Sequence, residues 1–351
     1  MNSNQERMFR GMLILLGVLA AFIIAEGTLR FLHLGYNNSP LEFDPVLHHR
    51  HPKNYKFLSY VPSDSYGGHV VKYDSEGVVV GSASKSDRVE GHTPFRIALM
   101  GDSFVEAGQV PYEKSFAGLL NQAVGDAKAV RNYGVTSYSP ILYLLQWHHS
   151  VKNFRPTHVF VMLFSGDINE DSNYSAGAVF VGEDPVAVPG PTGDLWKKIS
   201  RKSYLIRFFV MNYRRVKWLI THWKGENHVR GKDYVEESPE INGSLSERYL
   251  LKLNEEVSKA GTKFILMAVP SQYLINYQEI KEGFISFPEK VKQWALLHSI
   301  RYCDLTPAFV RASKDEKLFI KNDIHFTKKG HQLVFEVIYH EYPEIFNRRS
   351  T

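Results

Sequence analysis

The chain has 351 residues, 44% of them hydrophobic and 13% aromatic, so it can bury a sizeable core and lacks the polar bias of a disordered protein. A formal charge of +5, without a zinc finger, an RNP-like aromatic motif or a long basic arm, argues against nucleic acid as a partner. The lone Cys303 excludes an intramolecular disulfide framework and a multi-cysteine metal site, and one α/β domain with insertions fits the length better than two full domains.

The first element is apolar. Arg7 and Arg10 precede fifteen uncharged, mostly apolar residues from Gly11 to Ala25, and the character continues past Glu26 and Arg30 to Leu32. Gly11 to Leu32 as a helix spans about 33 Å, enough for a hydrocarbon core of about 30 Å, with Glu26 and Arg30 able to snorkel to an interface. A cleaved signal peptide and a buried core helix are the rival readings. Ala25-Glu26-Gly27 is a poor cleavage site, so residues 1–32 read as a cytoplasmic tip and transmembrane signal anchor. The basic flank turns the N-terminus toward the cytoplasm and places the rest of this single-pass chain in the periplasm or outside the cell.

Residues 33–94, rich in His, Pro, Tyr, Gly and Ser, read as a stalk and a β-rich flap, with one hairpin formed by His69–Tyr73 and Val78–Val80. From Phe95 short apolar strands alternate with helices. Strands are expected at Phe95–Met100, Ala129–Tyr133, His158–Phe164, Lys263–Val269 and Ile300–Cys303, and helices at Ser115–Val124, Ile141–Asn153, Ser244–Ala260 and Pro288–His298. That rhythm predicts a five-stranded, doubly wound parallel sheet with right-handed crossovers over residues 95–351.

Residues 172–243 interrupt the rhythm. Lys197, Lys198, Arg201, Lys202, Arg207, Arg214, Arg215 and Lys217 interleave with apolar side chains, and no acidic residue falls between Lys197 and Lys217. The plain reading is a helical insertion with a solvated basic face; the functional one is an amphipathic helix on anionic lipid or an acidic polymer.

Chemistry concentrates at two places. Ser103, in Met100-Gly101-Asp102-Ser103-Phe104-Val105-Glu106-Ala107-Gly108, follows a core strand and enters a turn, where open α/β sheets hold their ligands. Asp323 and His325 lie two apart near the C-terminus. A serine hydroxyl needs a base to take its proton, and a histidine needs an acid to fix its tautomer, so these three are the parts of a hydrolytic triad.

Gly101-Asp102-Ser103, Asn132-Tyr133-Gly134, the Gly-and-Asn segment after the third strand, and Asp323-Ile324-His325 together resemble, in order, the four sequence blocks of the SGNH hydrolase superfamily, the GDSL-like esterases and acylhydrolases. The resemblance implies a flavodoxin-like three-layer sandwich, an acyl-enzyme on Ser103, and an oxyanion hole built from the Ser103 and Gly134 N–H groups and an asparagine side chain. No metal and no cofactor are expected.

Two blocks depart from the family. Asp167 in Ser165-Gly166-Asp167-Ile168-Asn169-Glu170-Asp171 stands where the asparagine is expected, and an ionised carboxylate cannot donate to an oxyanion. Asn169 is the expected substitute donor. The usual place of the acid, three before the histidine, holds Asn322, and the two-residue spacing resembles membrane-associated SGNH proteins that act on, or acylate, surface polysaccharides. The expected function is therefore a membrane-anchored esterase acting on an O-acylated glycan, with an O-acyltransferase and a non-catalytic glycan-binding or assembly protein as alternatives. His48, His49 and His51 read as surface residues rather than metal ligands. His331 reads as packing the final helix, and the absence of a Gly-x-Ser-x-Gly elbow argues against an ordinary α/β-hydrolase.

Overall fold

A computed structural model describes residues 3–32, 41–59, 69–81, 95–125, 129–191, 203–206, 208–209, 213, 238–272, 275, 285–320 and 323–346. The chain divides into two compact units, one of residues 1–38 with 192–227 and one of residues 39–191 with 228–351.

The first unit is built on α1, Ser3–Phe31. Its Asn4–Phe31 stretch, in which an 18-residue window has a mean hydropathy of 2.4, is long and apolar enough to cross a membrane. Glu26 does not simply snorkel. Its carboxylate accepts from the Ser203 hydroxyl at 2.8 Å and from the Tyr204 and Leu205 N–H groups at 3.0 and 2.9 Å, and Arg30 donates to it at 2.7 Å. The Arg30 guanidinium also lies 5.1 Å from the centre of the Tyr204 ring. A helix start, with its unsatisfied N–H groups, is a suitable partner for a carboxylate. The eight basic residues of the Lys197–Lys217 segment lie outside the described residues.

The second unit is a layered α/β structure. Its chain order is β1 (Glu42–Asp44), β2 (His48–Arg50), β3 (Lys56–Ser59), β4 (His69–Tyr73), β5 (Val79–Val80), β6 (Ile97–Gly101), α2 (Ser103–Glu106), α3 (Phe116–Val124), β7 (Val130–Asn132) and α4 (Pro140–His149). There follow β8 (His158–Leu163), α5 (Ser165–Ala176), the hairpin β9 (Val179–Val181) and β10 (Asp184–Ala187), β11 (Lys263–Ala268) and β12 (Arg301–Tyr302). Further helices span Leu245–Lys259, Phe287–Leu297 and Lys328–Glu341.

Five parallel strands run in the order β7-β6-β8-β11-β12, the doubly wound order expected for a flavodoxin-like sheet. The central strands form because β6, β8 after its buried His158, and β11 after its exposed Lys263 are continuous buried apolar runs. Alternate residues serve alternate layers. Ile97, Leu99, Phe160, Met162, Ile265 and Met267 pack with α3 and the Lys328–Glu341 helix. Ala98, Met100, Val159, Val161, Leu266 and Ala268 pack with α4 and with the Leu245–Lys259 and Phe287–Leu297 helices. Each fully buried large apolar side chain contributes about 1.5–3 kcal/mol, so this double-sided burial dominates the fold.

The sheet has eight strands, not the five expected. β5, β4 and β3 continue it antiparallel beyond β7, with Val79 opposite Asn132. An uncovered β7 would present a row of unpaired backbone groups, and the flap strands cover that edge. Arg131 bridges Asp74 at 2.8 Å and Glu76 at 3.1 Å across the junction. Such half-exposed pairs contribute about 0–1 kcal/mol, so strand pairing and the burial of Val78 and Val79 matter more.

The histidines read as surface residues are a correction. His49 and His51 are buried, because His49 reaches the Thr136 carbonyl at 2.7 Å and His51 stacks on Tyr73 with centroids 4.1 Å apart.

Candidate active site

Ser103 leaves the end of β6 and opens α2. Asp102 caps that helix by accepting from the Phe104 N–H at 2.9 Å, and Ala107 ends it in the left-handed region at φ 57°. Gly101 is required by close approach, since a Cβ there would lie 2.9 Å from the Met162 carbonyl oxygen and 2.4 Å from a Val105 methyl. Serine is thereby presented beside the β6–β8 junction, where the direction of winding reverses.

His325 comes from the loop before the Lys328–Glu341 helix, whose start is fixed by Thr327 accepting from the Gly330 N–H. Its Nε2 lies 2.8 Å from Ser103 Oγ, and its Nδ1 lies 2.5 Å from Asp323 Oδ1. Asp323 also accepts from the His325 N–H at 2.9 Å, and Gln272 donates to the Asp323 carbonyl at 3.0 Å. The two-residue spacing thus folds the acid back under its own histidine. Phe104 forms an aromatic floor, with its ring 5.2 Å from His325, 5.1 Å from Phe164 and 5.0 Å from Phe326. Burial raises the Asp323 carboxyl, but the His325 ring and the backbone N–H groups of Ile324 and His325 outweigh it, leaving Asp323 below the ordinary carboxylate range. This arrangement can move a proton from Ser103 Oγ to imidazole and stabilise the resulting imidazolium. His331, by contrast, is buried against Phe116 and Phe326, and burial pushes its imidazole down to about 3.

The other half of the expected site is arranged differently. As the first residue of α2, Ser103 has an N–H without an intrahelical acceptor. The Gly134 N–H donates to Asn132 Oδ1 at 2.9 Å, while Asn132 Nδ2 donates to the Val105 carbonyl at 2.7 Å. The missing Cβ of Gly134 makes room for protein rather than substrate, since it would lie 2.2 Å from the Glu106 nitrogen. Asn169 is exposed on α5. Because α5 already begins at Ser165, Asn169 sits about 200° around the helix from Asp167, so the two cannot share a face.

Asp167 takes the inward position. It is 1% exposed, accepts from the Tyr143 hydroxyl at 2.9 Å and from the Phe164 N–H at 3.0 Å, and closes the first turn of α5. Burial, then the nearby Asp102 charge, holds its carboxyl well above the usual range. Burial likewise raises Asp102, and it pushes Glu170 up to about 8 with help from Asp102 and Asp171.

The chain is similar to several solved structures. A member of the lipolytic protein G-D-S-L family from Veillonella parvula DSM 2008 is 12% identical, matching 71% of this chain and 98% of its own with a TM-score of 0.38. A variant of Axe2, an acetylxylan esterase from Geobacillus stearothermophilus, is 14% identical over 74% of this chain and 100% of its own, at a TM-score of 0.40. LAE5, an alpha/beta hydrolase enzyme from the metagenome of Lake Arreo, Spain, is 14% identical over 73% of this chain and 98% of its own, at 0.41. No family profile and no curated protein sequence matches the chain.

Sequence reasoning missed three contributors. Asp102 was readable as an N-cap, being a short acidic residue ahead of a helix start. Tyr143 and the buried Glu106, which accepts from the Thr136 N–H at 2.8 Å and lies 3.2 Å from His51, carry no local signal because their partners are distant in sequence.

Proposed function

We propose that the chain is a serine esterase of the SGNH type, acting on an O-acyl ester of a cell-envelope glycan and held to the membrane by its N-terminal helix. The observation that carries this reading is the continuous relay of Ser103 Oγ, His325 and Asp323 at 2.8 and 2.5 Å. Ser103 Oγ attacks the ester carbonyl carbon as its proton passes to His325 Nε2. The tetrahedral oxyanion takes the Ser103 N–H as donor. Collapse expels the sugar oxygen, which receives the proton from His325, and leaves an acyl-Ser103 ester. Water, deprotonated by His325, then attacks the acyl carbon and releases a carboxylic acid and free serine. A sugar hydroxyl in place of that water would make the same intermediate serve an O-acyltransferase.

Hydrolysis of p-nitrophenyl acetate by the full-length chain in detergent tests the reading. Turnover by the wild type and none above background by Ser103→Ala is the expected result. Equal rates would remove Ser103 as nucleophile.

A second reading, a non-catalytic glycan-binding or assembly role, is favoured by one feature. Asn169 is exposed and the Gly134 N–H is engaged by Asn132, so the oxyanion position has fewer ready donors than the resemblance implies. Acyl-enzyme accumulation after rapid mixing with the aryl ester separates the two, since a binding protein would give none.

A further inference from the structure

A cavity of about 600 Å³ lies between the β1–β2 hairpin, the turn joining β4 to β5, the end of β7 and α4; none of Ser103, Asp323 and His325 lines it. Among its almost wholly buried lining residues are Tyr133, at 3%, and Gln146, at 5% exposure. The Tyr133 hydroxyl and Gln146 Oε1 have no hydrogen-bond partner among the described residues. The Gln146 amide is nevertheless pinned, because its Nε2 donates to the Tyr133 carbonyl at 2.9 Å. Arg50 Nε, on the same wall, also has no partner among the described residues, although its guanidinium reaches Asp44 at 3.2 Å. Buried polar atoms are nearly always satisfied, so three orphans at one cavity of ligand size point to an occupant that satisfies them.

The wall fixes the chemistry of that occupant. Its charges largely cancel: Arg50 pairs with Asp44, Glu76 pairs with Arg131, and His51 faces Glu106 at 3.2 Å. Lys53 is exposed, and burial together with His148 lowers the basicity of His149. A hydroxyl both donates and accepts, which matches a Tyr133 O–H that can donate and a Gln146 oxygen that can accept. Burial holds the Tyr133 phenol above its ordinary range, so that proton stays in place.

We propose that this cavity is a binding subsite for a neutral, hydroxyl-rich saccharide unit. The proposal deepens the glycan-ester reading, on which its substrate class rests, by giving the sugar end of the substrate a place of its own. Gly134 connects the two regions, since it lines the cavity while its missing Cβ would touch the Val105 and Glu106 backbone of the helix that Ser103 begins.

The test is isothermal titration of the full-length chain, in a detergent without a sugar headgroup, with xylobiose, cellobiose and N,N′-diacetylchitobiose. At least one should bind saturably, and Tyr133→Phe, which removes a single oxygen and keeps the ring, should weaken it about three- to tenfold. Gln146→Leu should weaken the same sugar by a similar factor. The proposal is overturned if no disaccharide binds at tens of millimolar, if both variants bind as wild type does, or if glucuronic acid binds in preference to the neutral sugars. A crystal structure grown with the disaccharide that shows only ordered water bridging Tyr133 and Gln146 would also overturn it. p-Nitrophenyl acetate carries no sugar, so saccharide binding without aryl-ester turnover would sink the esterase reading and leave the subsite standing, whereas turnover without saccharide binding would sink the subsite alone.

Discussion

Asp323 and Asp167 are the same side chain in two settings, and the difference between them separates the two halves of the site. Asp323 is a half-buried loop residue whose oxygens receive the His325 ring and backbone N–H groups, so the charged form is favoured despite partial burial. Asp167 is fully enclosed at the first turn of α5, near another carboxylate, and its neutral form is favoured despite two hydrogen bonds. The lesson is one of environment: hydrogen-bond donors aimed at a carboxylate make it an anion that can orient a base, while enclosure beside Asp102 makes it a neutral strut. On this view Asp323 serves the chemistry and Asp167 serves the scaffold.

The sharpest way to break the contrast is to remove the relay on one side. His325→Ala should lower aryl-ester turnover by about 10⁴-fold or more, and Asp323→Asn by about 10²–10⁴-fold with KM little changed, because each acts chiefly in the transition state. On the other side the loss should appear in stability instead. Asp167→Ala removes the buried acceptor of the Phe164 N–H and leaves the Tyr143 hydroxyl only its 3.1 Å bond to the Tyr138 carbonyl, and should cost about 1–3 kcal/mol in chemical denaturation. A large stability loss from Asp323→Asn, or a turnover loss from Asp167→Ala without destabilisation, would reverse the assignment.

Glu170 sharpens the comparison through pH. Its carboxyl is raised from 4.5 to about 8 by burial and by the Asp102 and Asp171 charges. Between those values the folded chain holds a proton that the unfolded chain has released, so this group's contribution to stability falls as pH rises through that window. Glu170→Gln removes the penalty, and its melting temperature relative to wild type should increase from pH 5 to pH 8. A constant difference would show that Glu170 titrates normally. The smallest effect is expected at Asn169→Ala, within about 0.5 kcal/mol of wild-type stability and with turnover changed less than about threefold, as for an exposed helix residue. A loss of about 10²–10³-fold in kcat would instead make Asn169 an oxyanion donor that reaches the site only when substrate is bound.

The legible parts of the molecule were those written locally. β6, and β8 and β11 after their first residues, His158 and Lys263, are unbroken apolar runs, and the acid and histidine of the relay are two residues apart, so strand and pairing are both visible in short windows. The hairpin at His69–Val80 was also readable, but its docking on β7 was not, since the Val79–Asn132 pairing joins residues far apart in the chain. Asn169 failed for a rotational reason. Once the helix begins at Ser165, each step along the chain turns the side chain by about 100°, so a two-residue shift carries a donor from the inside to the outside. Gly134 failed for a packing reason, because a glycine after a strand looks the same in sequence whether it yields space to a ligand or to the α2 backbone.

The central claim is that Ser103 is a nucleophile armed by His325. Incubating the full-length chain with a fluorophosphonate and mapping the adduct by peptide mass spectrometry tests it most directly. A phosphonyl group on Ser103 in the wild type and none in His325→Ala is the expected result. An unlabelled Ser103 in folded wild-type protein, or equal labelling without His325, would contradict it.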